Sequence, residues 1–146
     1  MVALVRGGET KRYHRLMPES VDDTHEAQPL EVYYDGSCPL CRREVAIYTG
    51  LRPLSPIVWK DVSGDLDLLP PGKTQAELLA RFHVAGPNGA VTSGARAFLV
   101  LWERLPGWRW LARIGRVPGA AALLEWGYRG FLRIRPLLQR WAARLG

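Results

Sequence analysis

The sequence predicts one α/β domain, a central sheet with helices on its faces, and three observations carry that prediction. Strand-like and helix-like segments follow one another in the order β-α-β-α-β-β-α between residue 29 and about 105. A Gly86-Pro87-Asn88-Gly89 turn links the last two strands as a hairpin. With 146 residues, 47% apolar and 23% charged, the chain is long enough and apolar enough to bury a single core.

Taken in order, residues 1–28 show no sustained period of 2 or 3.6 and read as a mobile leader. Their only apolar stretch, Val2 to Val5, is too short for a signal peptide, and no run in the chain approaches the roughly 18 apolar residues of a transmembrane helix. The expected location is therefore cytoplasmic. Glu31 to Tyr34 is a strand that Asp35-Gly36 ends. Pro39 suits the first position of a helix that places Leu40, Val45 and Tyr48 on one face and stops at Gly50. Ile57 to Val62 is a second strand. Thr74, with Glu77 three residues on, caps a helix over Ala76 to Phe82. Strands around Arg81 to Ala85 and Ala90 to Ser93 and a helix from Ala95 to Arg104 complete the order. Beyond Pro106 the chain reads as helical pieces, broken near Val117-Pro118-Gly119 and at Pro136, which form a basic, Trp-rich extension over 106–146.

The chemistry concentrates in "YYDGSCPLCRREV", residues 33–45, where Cys38 and Cys41 stand at the joint between strand and helix. Residues three apart on a helix have Cβ atoms roughly 5–6 Å apart, so the pair can form a disulfide without moving the backbone. With Pro39 as the first helical residue, Cys38 is the N-cap, and the free N–H groups and dipole there favour a thiolate; Cys41, one turn in, is expected to be more buried and less nucleophilic. Arg42 and Arg43 either add positive potential or are plain solvated residues. Four zinc ligands would need histidines from His14, His25 and His83, two of them in the leader, so no metal is expected. His83 reads as a strand residue. Tyr33, Tyr34 and Trp59 read as sheet-packing aromatics, with Tyr34 and Trp59 the ones placed to line a groove.

"YDGSCPLC" resembles the Asp-x-x-Cys-x-x-Cys signature of the DCC thiol-disulfide oxidoreductase family, matched by Asp35, Cys38 and Cys41. The similarity continues through "FHVAGPNGAVTSGARAFLVLWERLPGWRW" and "YRGFLRIR", spanning roughly residues 30–136. It implies a thioredoxin/glutaredoxin-like fold and disulfide exchange, with an upstream thiol reductant, a protein or small-molecule disulfide as substrate, and no bound cofactor. Two departures stand out. Thioredoxins and glutaredoxins carry a cis-proline before the strand facing the cysteines, and "LLARFHVAG" has none; many members of the family carry an acidic residue where this chain has Arg96. Asp35 has two readings: a turn former, or a general base for the Cys41 proton.

Residues 96–146 hold ten arginines and two acidic residues, while residues 1–95 hold ten basic and twelve acidic ones. The apolar residues between those arginines recur at helical spacing, as helices packing on the sheet would have them. The same pattern suits an interfacial membrane surface or a docking patch for a membrane-embedded or acidic partner. Nucleic acid is disfavoured, since no binding motif accompanies the charge. The competing class to an enzyme is a redox-sensing or metal-binding module that docks through these helices.

Overall fold

The computed structural model describes residues 28–145, so the leader expected over 1–28 lies almost wholly outside the described residues. Four strands, β1 (Leu30–Tyr34), β2 (Ile57–Asp61), β3 (His83–Ala85) and β4 (Val91–Ser93), form one sheet in the order β2-β1-β3-β4. β1 runs parallel to β2 and antiparallel to β3, and β3 and β4 form the predicted hairpin. The parallel pair requires a crossover, which α1 (Pro39–Gly50) supplies. With α2 (Gln75–Ala80) and α3 (Ala95–Trp102), the order β-α-β-α-β-β-α is observed, a thioredoxin-like α/β arrangement.

Side chains alternate across β1. Leu30 and Val32 face a core that includes Tyr48 of α1 and Ala97 and Leu101 of α3, while Tyr33 faces Leu78 of α2 and Val62 on the other side. The first core continues past α3 into Leu105, with Trp108 packed against it. The hairpin turn works because Gly89 takes φ +74°, a region that disfavours other residues, and the Asn88 side chain accepts the Ala90 N–H at 3.1 Å. The capping box expected at α2 is present: Thr74 N–H donates to Glu77 Oε2 at 2.8 Å and Glu77 N–H to Thr74 Oγ1 at 3.3 Å. α2 ends at Ala80, and β3 starts only at His83, because the Phe82 N–H is taken by the Tyr128 hydroxyl at 2.8 Å rather than by a strand.

The C-terminal region forms α4 (Arg109–Ile114) and α5 (Ala120–Arg144). The break at Val117-Pro118-Gly119 is present, with Gly119 at φ +82°. The break expected at Pro136 is not, since α5 runs through it. An interior proline costs a helix about 3 kcal/mol, and tertiary contacts on both sides of it offset that cost. Arg135 donates to the Leu79 carbonyl at 3.0 Å, and Gln139 reaches α1. No described helix is long and apolar enough to cross a membrane.

Glu125 fastens α5 to the sheet domain. Its carboxylate pairs with Arg81 and accepts the Ala95 N–H at 3.1 Å, at the N-terminus of α3. A carboxylate therefore does stand at the start of α3, supplied from 30 residues along the chain, while Arg96 is exposed. Gly94 makes room for it, because a Cβ there would lie 2.6 Å from Glu125 Oε2. Glu125→Ala is expected to lower stability by about 2–4 kcal/mol, since it leaves Arg81 half-buried without its partner, and a drop in thermal midpoint on calorimetry checks it.

Candidate active site

The two cysteines stand where β1 ends and α1 begins, beside the end of β2 and beneath α5. Cys38 is the N-cap of α1, as its position before Pro39 predicts, and its sulfur accepts the Cys41 N–H at 3.4 Å. The turn before it is held from two sides. Asp35 Oδ1 accepts the Ser37 N–H at 3.0 Å, and Asp61, at the end of β2, accepts the Gly36 N–H at 2.9 Å. Gly36 has to be glycine here: a Cβ would fall 1.8 Å from Asp61 Oδ2. Burial raises the Asp61 pKa, but bonds from Ser63 and the Gly36 N–H outweigh it and hold the carboxylate ionised below its usual range.

The helix α5 completes the site from above. Gln139 Nε2 donates to Cys38 Sγ at 3.1 Å, and Arg135 Nη2 lies 3.6 Å from both Cys41 Sγ and Asp35 Oδ2. This corrects the expected order of exposure. Cys38 is the covered cysteine, 3% exposed, and Cys41 is only half-buried, because Gln139 and its helix lie over the N-cap. It also relocates the positive charge. Arg42 and Arg43 point into solvent, and the guanidinium at the sulfurs belongs to Arg135, which sits inside the quoted "YRGFLRIR".

The two thiols are electrostatically unequal. Burial pushes the Cys38 thiol up, but hydrogen bonds from the Cys41 N–H and Gln139, with the Cys41 thiol and the Arg135 guanidinium nearby, outweigh it and leave it below the ordinary thiol value. Burial pushes Cys41 up first; the neighbouring Cys38 sulfur and Asp35 add to this against the pull of Arg135, and its pKa reaches about 12. The two thiols thus titrate apart, Cys38 below the ordinary thiol range and Cys41 above it.

Beneath Cys41 lies a narrow, mainly apolar cavity of about 60 Å³ between α1, the sheet and α5. Tyr34 and Trp59 are both on its wall, and so is Tyr33, which is buried. Glu44, one turn after Cys41, also lines it; burial raises its pKa against the bond it accepts from the Tyr48 hydroxyl at 2.9 Å. His83 is buried in β3, its Nδ1 donating to the Arg81 carbonyl at 2.8 Å. Among the described residues no three His, Cys, Asp or Glu side chains converge as metal ligands; His14 and His25 lie outside those residues.

A dithiol at the N-terminus of the first helix of a thioredoxin-like sheet is the arrangement of a thiol-disulfide exchange protein. The model of the DCC1-like thiol-disulfide oxidoreductase family matches residues 32–141, most of the chain, and the chain belongs to that family. No curated protein and no solved structure matches it. The matched span extends to residue 141 and so takes in Arg135 and Gln139 along with the two cysteines.

Proposed function

We propose that this protein is a disulfide reductase of the exchange type, using Cys38 as the attacking thiol and Cys41 as the resolving one. The observation that carries the reading is the inequality of the two sulfurs, with the Cys41 N–H and the Gln139 amide both donating to Cys38. The Cys38 thiolate attacks one sulfur of a substrate disulfide, a Cys38–substrate disulfide forms, and the other substrate sulfur leaves as a thiolate that takes a proton from solvent. Because Gln139 covers Cys38, the incoming disulfide displaces that side chain before attack.

Bond formation removes the negative charge from Cys38, and with it one of the causes that hold the Cys41 proton. Arg135, 3.6 Å away, then favours the Cys41 thiolate. The proton passes to Asp35, which shares the same guanidinium, and Cys41 attacks Cys38 sulfur. The second substrate thiol departs reduced and the chain keeps a Cys38–Cys41 disulfide. An external thiol reductant returns two electrons and two protons; no further cofactor enters.

The experiment is turnover of insulin or a small aromatic disulfide with an added dithiol. Catalysis above the dithiol alone, slowed at the resolving step by Asp35→Asn, is the expected result. Absence of catalysis with every disulfide tried, in protein whose cysteines are reduced, would instead favour a sensing or docking module.

A further inference from the structure

The face of α5 turned away from the thiols carries large apolar side chains in a continuous line. Leu123, Trp126, Ile134, Leu137, Trp141 and Leu145 are between 49% and 76% exposed, and at 100° per residue they fall on one stripe, with Gly130 filling the gap in it. Glu125, Tyr128, Arg135 and Gln139, which bind the sheet domain, occupy the other side of the helix. Arginines mark one flank of the stripe: Arg129, Arg133, Arg140 and Arg144 each directly precede a stripe position, and all four are exposed. Among the described residues Arg133, Arg140 and Arg144 form no ion pair, and the helix has one acidic residue, Glu125, already bound to Arg81 and Arg129.

We propose that α5 docks through this stripe on the surface of an anionic lipid bilayer. The helix is too polar to cross, with five arginines in its 25 residues, but it can lie in the interface with its apolar stripe among the acyl chains and its arginines at the headgroups. Trp126 and Trp141 stand 15 residues apart, about 22 Å along the axis, so an indole anchors each end of the buried line. Charge selects lipid over a second copy of the chain. An antiparallel pair of α5 helices would set the arginine flank against itself, and neither helix offers an unengaged carboxylate to offset the repulsion. Anionic headgroups match that flank along its length.

The test is flotation of the full-length protein with vesicles of phosphatidylcholine alone or mixed with phosphatidylglycerol, at low and at physiological salt. The expected result is capture by the anionic vesicles only, weakening as salt screens the arginines. Combined Arg133→Gln, Arg140→Gln and Arg144→Gln should lower partitioning about 100-fold, at about fivefold per arginine. Trp126→Ser with Trp141→Ser should lower it while leaving salt dependence intact; circular dichroism identifies variants that remain folded. Equal capture by phosphatidylcholine vesicles, or no capture by anionic ones at low salt, overturns the proposal whatever the variants do. A concentration-dependent dimer in sedimentation, without lipid capture, assigns the stripe to a second copy. None of these readouts depends on disulfide exchange, so the docking and the catalytic readings fail separately.

Discussion

Replacing Cys41 by serine is expected to stop turnover while preserving attack, so that the protein accumulates disulfide-linked to its substrates. Cys38 keeps its position at the N-cap and its bonds from the residue 41 N–H and Gln139, and a serine hydroxyl can still donate to its sulfur. What is lost is the second thiol, and with it the intramolecular release of the bound substrate. Cys38→Ser should behave oppositely and trap nothing, because the remaining thiol is still held up by burial and by Asp35 and has no helix N-terminus of its own. Turnover should fall on the order of 10³-fold in both variants, the scale on which loss of a covalent nucleophile acts. Non-reducing electrophoresis after mixing with a protein disulfide distinguishes them: a shifted band for Cys41→Ser only. Trapping by Cys38→Ser instead would reverse the assignment.

The second large effect is expected at Arg135. Arg135→Gln removes the only guanidinium at the sulfurs among the described residues, together with its bond to the Leu79 carbonyl. The Cys38 pKa should rise, since the positive charge beside the sulfurs is lost while Gln139 and the helix N-terminus remain. Resolution should slow as well, because the positive charge that favours the Cys41 thiolate in the mixed disulfide is gone. Stability should fall by about 1–3 kcal/mol, with Asp35 and the Leu79 carbonyl each losing a donor. Arg135→Lys separates charge from geometry. A single ammonium keeps much of the electrostatic effect but cannot contact Leu79, Cys41 and Asp35 with one planar fork. Two readouts suffice: a pH–rate profile for the thiol and a thermal melt for the fold.

The local part of this site was legible in the sequence and the long-range part was not. Pro39 after Cys38 and Asp35-Gly36 before it act within one turn of the chain, and each does in the structure what its residue type dictates. The capping box at Thr74 and the Gly86 to Gly89 turn are local in the same sense. Arg135 and Gln139 lie 94 and 101 residues from the sulfurs they touch, and no periodicity ties a helical arginine to a thiol so far away. The one available signal was the "YRGFLRIR" segment of the family resemblance, which contains Arg135. The same distance explains two of the corrections. Pro136 interrupts a helix on local grounds, yet contacts on either side keep α5 whole. Cys38, exposed by any local argument at an N-cap, is covered by a helix from the far end of the chain. Asp61 holds the Gly36 turn by a strand pairing that only the sheet order reveals.

The central claim is that the Cys38 and Cys41 thiols titrate apart, and alkylation of the reduced protein across pH, read by mass spectrometry at each cysteine, tests it most directly. The Cys38 thiolate is stabilised relative to a free thiol, so its labelling should rise with pH through a midpoint below the reference of about 8.5. Cys41 should remain unlabelled through that range, because its proton is held to a pKa of about 12. In Gln139→Ala the Cys38 midpoint should move to higher pH, as a donor is lost, while the plateau rate increases, as the cover is lost. Equal labelling of the two cysteines, or labelling of Cys41 at the lower pH, would contradict the account.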